Sequence, residues 1–394
     1  MLPAIERLQQ DVDRTWSRTG YDQTCFHELA GELLSKPLDL DLHSLARAVC
    51  SGMHLPEQRR MDLGFGQPEI TLYHGPRFLI EALCWHTSTP AIHHHSFSGA
   101  FRVLTGRSVH SRYSFVESGR LGRLSMGTLQ LENAEVLRSG ATIAIPQGPQ
   151  LIHANFHLDS PTLTMVVRTH QSPEPELTYL PPGLAYDSAD RSPALHKRAQ
   201  LLDTLHQVAS LDYEECVRMA VRNVDPYDAM TIVMRAGARV SDGFFGELTA
   251  YLCHSFGNGA AVLASALAEE RRRGVIVRLR SAVVDPDLRF FLAGLLSFSD
   301  RCALQHMMLQ YYRDPAVVQE LVGRGVADLL GGDSDRRVIS AAAAQAMLNS
   351  VSALEFPQWA SKLWCRSLTG DEAAVLGNYY QRVLDHPLLR PLAA

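Results

Sequence analysis

The sequence lacks long apolar runs. No stretch of 18 apolar residues occurs among its 394 residues, so we expect no transmembrane helix. The first residues, MLPAIERLQQDVDRTW, are amphipathic and acidic, without the basic start and apolar stretch of a signal peptide. Together these features predict a cytoplasmic protein.

Paired cysteines and an excess of positive charge are also missing. The seven cysteines lie singly with no CxxC pair, which argues against a disulfide framework or a cysteine-based zinc site and predicts reduced thiols. The 37 Lys and Arg residues are outnumbered by 42 Asp and Glu residues, for a formal net charge of −5. This balance offers no electrostatic basis for nucleic-acid binding. We therefore expect neither a nucleic-acid nor a membrane partner.

Histidine, by contrast, is abundant and clustered. The chain has 17 histidines, and residues 74–170, about a quarter of its length, contain more than half of them: His74, His86, His93, His94, His95, His110, His153, His157 and His170. Imidazole is a common ligand of transition metals in proteins. The clustering therefore directs the search for a site to this segment, although we expect His86, His110 and His170 at the surface or rim.

Hydrophobic periodicity divides the chain into three parts. Residues 1–62 show helical spacing, residues 63–175 contain short β-rich runs separated by turn residues, and residues 193–394 return to helical spacing. The intervening residues 171–192 hold four prolines and predict a loop or linker. The expected fold is α+β: a central antiparallel β-barrel or jelly roll with N-terminal helices and a large all-helical C-terminal domain.

The C-terminal part, residues 193–394, shows no catalytic constellation. Its short amphipathic helices predict a helical bundle or an irregular α-array, which offers a surface for a peptide or protein partner or for self-association. The basic run 271–273 precedes Gly274, and we interpret it as a solvated helix end.

Two histidine-bearing segments fall within the β-rich part. In TPAIHHHSFSGAFRVLTG, a strand places His93 and His95 on one face and His94 on the other, and two imidazoles on one face can bind one metal ion. In GATIAIPQGPQLIHANFHL, a tight turn precedes His153, and His157 lies four residues further along the same face. The second segment can therefore supply a third ligand.

This pair of segments resembles the two motifs of the cupin superfamily. The first cupin motif contains an HxH strand, and the second contains a G-x5-P-x-G turn before a ligand histidine, which Gly140, Pro146 and Gly148 match. Many cupins carry a glutamate ligand just after HxH, whereas residues 96–100 here are SFSGA. The resemblance therefore implies a cupin barrel with a three-histidine site.

A closer resemblance, over roughly residues 70–170, is to the cysteine dioxygenases, a three-histidine thiol dioxygenase branch of the cupins. Three segments carry it: ALCWHTSTPAIHHH (82–95), FRVLTG (101–106) and HANFHLDSPTLTMVV (153–167). The resemblance implies that His93, His95 and His153 bind Fe(II), and that the protein is a non-heme iron dioxygenase-like oxidoreductase.

The sequence departs from that family at two places. The family's cross-link between a cysteine after HxH and a late tyrosine falls here on Gly99–Ala100 and near Arg168, so it cannot form. The family's substrate-carboxylate arginine follows a tyrosine, whereas Tyr73 is followed by His74, and the nearest arginine is Arg77. A free cysteine substrate is therefore not implied. The candidate substrate-binding residues are Arg77, Tyr73, Arg168 and Arg102, and the candidates for extra ligands or for orienting the ligands are His94, His157, Asn155 and Tyr113.

Three neutral imidazoles suit Fe(II), Ni(II), Zn(II) or Cu(II). They leave up to three positions of an octahedral ion open, so that a substrate and O2 can bind side by side. The leading hypothesis is an Fe(II) oxygenase acting with O2 on a small thiol or another small chelating anion. The alternatives are a non-oxygenase cupin that uses its metal as a Lewis acid, such as an isomerase or hydrolase, and a metal-sensing or scaffold protein.

Overall fold

The computed structural model describes residues 2–58, 66–87, 90–188, 192–257 and 259–394. The predicted domain boundary at 62–63 lies outside the described residues. Three helices come first: α1 (Pro3–Ser17), α2 (Phe26–Ser35) and α3 (Leu42–Cys50). Their apolar faces pack on one side of a β-sheet, where they share a core with strand residues such as Phe78 and Ile80.

Antiparallel strands form the middle of the chain. In the part of the chain that the structure describes they are β1 (Glu69–His74), β2 (Phe78–Trp85), β3 (Ile92–His95), β4 (Gly99–Thr105), β5 (Ser108–Leu121), β6 (Leu124–Leu137), β7 (Thr142–Ile145), β8 (Gly148–His157), β9 (Thr162–Thr169), β10 (Leu177–Leu180) and β11 (Leu184–Asp187).

The strands are arranged in two layers. Five of them form a sheet in the order β1-β2-β9-β4-β7, and the other six form a closed barrel in the order β10-β11-β6-β5-β8-β3. A core that includes Leu83 and Phe101 from the sheet and Leu137 and Leu151 from the barrel fills the space between them. This double-layered antiparallel arrangement is the jelly-roll form of a cupin-like core. With the flanking helices, the predicted α+β fold is confirmed.

The prediction of a loop throughout residues 171–192 is wrong. Strands β10 and β11 lie in this segment, and β10 pairs with β3 while β11 pairs with β6, so that they complete the barrel. Each strand has only four residues, and the prolines flank them: Pro175 precedes β10, and Pro181 and Pro182 separate it from β11. Strands this short give too little alternation to stand out from their proline-rich surroundings.

Helices follow the strands to the end of the chain. They are α4 (Pro193–Gln207), α5 (Tyr213–Val221), α6 (Pro226–Gly237), α7 (Asp242–Phe256), α8 (Ala260–Ala282), α9 (Pro286–Ser297), α10 (Arg301–Tyr312), α11 (Pro315–Leu330), α12 (Ser334–Leu348), α13 (Phe356–Leu363), α14 (Gly370–Leu384) and α15 (Arg390–Ala393). No helix of the described ranges is both long enough and apolar enough to cross a membrane.

The described residues form two compact units, 1–275 and 276–394. In the first unit the barrel and the helices from α4 onward share one apolar core, which includes Leu124 and Leu184 of the barrel. Arg123, in the turn between β5 and β6, donates to Asp225 at 2.8 Å and to Asp228 at 2.6 Å at the start of α6. The second unit has its own buried residues, among them Phe290, Phe291, Ala343 and Tyr380.

The predicted solvated helix end at residues 271–273 is wrong. Helix α8 continues past Gly274 to Ala282, and Arg273 is buried. Its guanidinium donates to the carbonyl oxygen of Pro90 at 3.2 Å and lies 3.8 Å from Glu270. In the sequence, a run of arginines predicts a solvated helix face. In the structure, the carboxylate of Glu270 and the carbonyl oxygen of Pro90, just before β3, interact with the guanidinium of Arg273.

Candidate metal centre

The three predicted ligand histidines come from two neighbouring barrel strands. Strands β3 and β8 pair with His93 opposite His153, and an irregularity in the register then places His95 opposite Gly148. Gly148 begins β8 with a φ of +79°, a conformation that glycine adopts at no steric cost, at the end of the predicted Pro146–Gly148 turn. The local sequence thereby brings His93 and His95 of β3 beside His153 of β8.

One ring nitrogen from each histidine lies close to a ring nitrogen of each of the other two. The candidate ligand atoms of His93, His95 and His153 all lie within 4.8 Å of one another. The Nδ1 atom of His93 lies 3.0 Å from the carbonyl oxygen of Ala91. A carbonyl only accepts, so this nitrogen carries the proton and Nε2 keeps its lone pair. We refer to these three residues as the histidine cluster.

The spacing of the cluster fits a transition-metal ion. The Nε2 atoms of His95 and His153 are 3.0 Å apart. Two nitrogen ligands about 2.1 Å from one ion, at right angles to each other, are themselves about 3.0 Å apart. The Nδ1 atom of His95 is buried without a hydrogen-bond partner, and Glu176 Oε1 lies 3.9 Å from it. The donor set suits a divalent metal of the type that prefers imidazole.

Burial keeps the cluster in the neutral form that metal binding requires. Desolvation lowers the pKa of His95 and of His153 well below the usual value, and the neighbouring His93 lowers both further. Desolvation also lowers the pKa of His93. At neutral pH all three imidazoles therefore present lone pairs rather than charges.

The cluster forms part of the wall of a small cavity of about 130 Å³. An engineered cavity of about 150 Å³ in another protein holds benzene, so this space admits a small molecule of a few heavy atoms. Apolar side chains make up much of the wall: Leu83, Trp85, Phe97, Phe101, Ile145 and Val166. Polar groups are placed among them: Glu69, Glu81, Asn155, His157, Thr164, Arg168, Gln171 and Glu176.

A buried ion pair crosses this cavity wall. Arg168 donates from Nε to Glu81 Oε2 at 2.6 Å and from Nη2 to Glu81 Oε1 at 3.1 Å. The guanidinium also donates to the carbonyl of Thr169 and lies over the ring of Phe97. Arg168 is thus the candidate substrate-binding arginine that faces the cavity, but a carboxylate already neutralises its charge.

The other three candidate substrate-binding residues lie against the N-terminal helices. Tyr73 packs on Phe78 in the core under α1. The guanidinium of Arg77 lies 3.9 Å from the ring centre of Tyr21. Arg102 donates to backbone carbonyls at the end of α2. The structure does not bring these side chains to the cavity, because Tyr73 and Arg102 point from the outer face of their strands and Arg77 lies in the turn between β1 and β2.

The four residues predicted to add to or orient the ligands divide into two pairs. His157 and Asn155 line the cavity; His157 Nδ1 lies 2.7 Å from Ser108 Oγ, and Asn155 Oδ1 is buried without a hydrogen-bond partner. His94 and Tyr113 pack elsewhere. His94 Nδ1 lies 2.8 Å from the Tyr179 hydroxyl, and Tyr113 packs in a core that also contains Tyr179. The strand alternation predicted for His94 is therefore observed.

The sequence reasoning missed two residues beside the cluster. His110, expected at the surface or rim, is fully buried, and its Nε2 atom lies 3.0 Å from His153 Nδ1. Glu176 falls in the segment interpreted as a loop. Alternation along β5 places His110 on the same strand face as Arg112, but only the pairing of β5 with β8 reveals its neighbour. The shortness of β10 concealed the position of Glu176.

No family model matches the chain, and no curated protein matches it either. Similar solved structures include an RmlC-like cupin from Shewanella frigidimarina NCIMB 400, with a TM-score of 0.21 and 14% identity over 31% of this chain and 93% of that chain. A structure of DMSP lyases has a TM-score of 0.24 and 16% identity, over 42% of this chain and 92% of that chain. An oxalate oxidase has a TM-score of 0.21 and 16% identity, over 37% of this chain and 70% of that chain.

Similarities this low carry no argument about activity. The class of protein follows instead from the closed antiparallel barrel, the sheet packed against it and the histidine cluster inside. These features define a cupin-like fold whose histidine cluster suits a transition metal.

Proposed function

We propose that the protein is a metal-dependent cupin enzyme, an Fe(II) oxygenase or dioxygenase that uses O2 and acts on a small thiol or another small chelating anion. The observation that carries the proposal is the grouping of three neutral imidazoles, from His93, His95 and His153, with their candidate ligand atoms within 4.8 Å of one another in the wall of a small cavity. Among the described residues the ligand group contains no carboxylate, which is the donor set of the three-histidine cupins that the sequence resembles.

The choice of Fe(II) rests on the chemistry of the donor set. Imidazole ligands suit iron, nickel, zinc and copper, so Ni(II), Zn(II) and Cu(II) are alternatives that the test distinguishes. Fe(II) bound by three neutral ligands keeps a formal charge of +2 and supplies neighbouring open positions for an anionic donor and O2.

The residues around the cluster select and shield the substrate. Trp85, Phe97 and Phe101 line the cavity with aromatic surface, which limits the water beside the cluster. The polar end of the substrate meets Arg168, which is held in place by Glu81, and the Asn155 amide oxygen, which accepts a hydrogen bond from a donor on the substrate. Together these groups favour a small molecule with one metal-binding atom and one hydrogen-bonding end.

The proposed partners are therefore a small-molecule substrate and O2. The acidic balance of the sequence supports the absence of a nucleic-acid partner. We further propose a cytoplasmic location, which is supported by seven free cysteine thiols. Residues 193–394 are proposed to bind a peptide or protein partner or to self-associate.

Metal analysis combined with an oxygen electrode tests the proposal. Purified protein loaded anaerobically with Fe(II) should hold about one ion per chain, and a screen of small thiols and small carboxylates should reveal substrate-dependent O2 uptake. His95→Ala should abolish both. His94→Ala provides the matched control, because this buried histidine lies on the same strand and contacts Tyr179 rather than the cluster.

Two results would overturn the proposal. Wild-type protein that binds no divalent ion after loading excludes a metal-dependent enzyme. Turnover that proceeds equally well under strict anaerobiosis excludes the oxygenase and favours a Lewis-acid cupin.

A further inference from the structure

The second ring nitrogen of His153 has a partner that distinguishes this residue from the rest of the histidine cluster. His153 Nδ1 lies 3.0 Å from Nε2 of His110, and the His110 side chain is fully buried. The contact follows from the strand register. On β5, Arg112 lies opposite His153 of β8, and His110, two residues earlier on the same strand face, is its diagonal neighbour.

The other ring nitrogen of His110 faces a carboxylate, that of Glu135, on the neighbouring strand β6. Across the pairing of β5 with β6, His110 lies directly opposite Glu135, and its Nδ1 atom is 3.6 Å from Glu135 Oε1. The same oxygen accepts from Arg112 Nη2 at 3.3 Å. Its contact with the His110 side chain lowers the pKa of Glu135, so this carboxylate is ionised at neutral pH. We refer to His153, His110 and Glu135 as the imidazole–carboxylate chain.

The other two members of the cluster are supported differently. His93 Nδ1 lies at hydrogen-bond distance from the neutral backbone carbonyl of Ala91. His95 Nδ1, like His110 Nδ1, is buried without a hydrogen-bond partner, and a carboxylate oxygen of Glu176 lies 3.9 Å from it. Within the described residues, His153 is thus the cluster member whose Nδ1 atom lies at hydrogen-bond distance from a histidine outside the cluster, and that histidine in turn faces an ionised carboxylate.

A ligand histidine needs its proton on the nitrogen that faces away from the metal, and the partner of that nitrogen fixes both the tautomer and the ring orientation. At 3.6 Å no hydrogen bond joins His110 Nδ1 to Glu135, but the negative charge of Glu135 favours the His110 tautomer that carries its proton on the facing Nδ1 atom. That tautomer leaves His110 Nε2 as an acceptor for the Nδ1 proton of His153. The His153 Nε2 lone pair is then directed at His95, toward the centre of the cluster.

We propose that His110 and Glu135 are positioning residues of the metal site: they hold His153 in the Nδ1-protonated tautomer and orient its Nε2 atom as a metal ligand. The inference rests on the proposed function in that His153 is taken as a ligand. It goes beyond that function by assigning roles to two residues outside the ligand set. It also makes Glu135, whose side chain is 42% exposed, a surface-accessible determinant of a buried site.

The first experiment measures the tautomer directly and needs no metal. Protein labelled with ¹⁵N-histidine is studied by NMR, with the His153 ring signals assigned by their loss in His153→Gln. The chemical shifts of wild type should show a protonated Nδ1 and an unprotonated Nε2. His110→Leu should shift the population toward the other tautomer, whereas His110→Gln, whose amide oxygen can accept the same hydrogen bond, should restore the wild-type pattern. An unchanged tautomer in folded His110→Leu would overturn the proposal.

The second experiment measures affinity for Co(II) and Ni(II) by competition with a chelator, together with the visible spectrum of the Co(II) form. Loss of a partner that orients a ligand histidine typically weakens metal binding by about 10–100-fold. We expect this for His110→Leu and a smaller loss for Glu135→Gln, with recovery in Glu135→Asp. The matched control is His94→Leu, which removes an equally buried histidine whose ring contacts lie outside the cluster. Its affinity and spectrum should stay at the wild-type values.

The outcomes separate this inference from the proposed function. Wild type that binds metal, combined with His110 and Glu135 variants of unchanged affinity and spectrum, overturns the inference and leaves the proposed function standing. Wild type that binds no metal overturns the proposed function and the ligand-orienting role with it. An equal loss of affinity in His94→Leu would show a general packing effect and would also overturn the inference.

Discussion

Arg168 and Glu81 form a two-point ion pair within the wall of the cavity that contains the histidine cluster. Their side chains are only 5% and 3% exposed, and the two contacts are 2.6 and 3.1 Å long. The pair joins β9 to β2 and holds the guanidinium over Phe97. The two charges are therefore compensated by each other rather than by solvent. Substitutions at either position should change stability according to whether they leave one charge unpaired.

Removing one partner of this pair should destabilise the protein strongly. Arg168→Met or Glu81→Gln leaves a buried charge without its counterion, and we expect each to lower the free energy of unfolding by about 3–5 kcal/mol. The double variant Glu81→Leu/Arg168→Met leaves no buried charge and should lose much less than the sum of the single losses. Urea denaturation in a double-mutant cycle measures this coupling, and strictly additive losses would contradict it.

Binding of a metal ion to the histidine cluster should stabilise the folded protein. A ligand that binds only the folded state contributes about 2.7 kcal/mol when its free concentration is 100 times its Kd. Thermal unfolding of wild type with and without Ni(II) or Zn(II) should therefore show a clear rise in Tm. His93→Ala and His153→Ala should remove this rise, while His94→Ala keeps it; a metal-dependent rise that persists in His93→Ala would place the ion elsewhere.

The sequence allowed much of this site to be predicted because the relevant signals are local. Strand alternation separates His94 from His93 and His95, and the turn at Pro146–Gly148 starts the strand that carries His153. The structure shows both features. The α+β class could likewise be predicted because its helices and most of its strands are long enough to show a clear hydrophobic periodicity.

The missed features depend on which strands become neighbours. His110 is one of several polar residues on a long strand, and only the pairing of β5 with both β6 and β8 places it between Glu135 and the cluster. Arg102 and Arg168 carry the same charge on neighbouring strands of the sheet. The former reaches helix α2 and the latter the cavity. Sequence spacing alone cannot distinguish these two outcomes, because it does not specify the face of the sheet against which the helices pack.

Acid should destabilise the metal-free protein. Burial lowers the pKa of His95 and His153 well below that of an unfolded histidine, about 6.5. Above that value both states are neutral at these positions. As the pH falls below it, the unfolded chain takes up protons that the folded chain excludes, so the free energy of unfolding should fall by about 1 kcal/mol per pH unit for each histidine. Urea denaturation of metal-free protein between pH 7.5 and 5 measures how steeply the free energy of unfolding changes with pH. His153→Phe should reduce this slope, and an equal slope in that variant would show that His153 does not contribute to it.

Gly99 should tolerate no side chain. It pairs with Arg168 across β4 and β9, and a Cβ atom at this position would overlap the carbonyl oxygen of Val167 and lie 2.8 Å from Arg168 Cα. Because these are backbone atoms, Gly99→Ala must shift a strand, and we expect a loss of about 1–3 kcal/mol in the free energy of unfolding. The same overlap means that Gly99→Cys cannot place a thiol at this position without the same strand shift. Gly119→Ala, also in a strand but with Met126 Cε at 3.7 Å as its nearest contact, is the control and should change little. Urea denaturation compares the two, and equal losses would show that the close approach at Gly99 is not the cause.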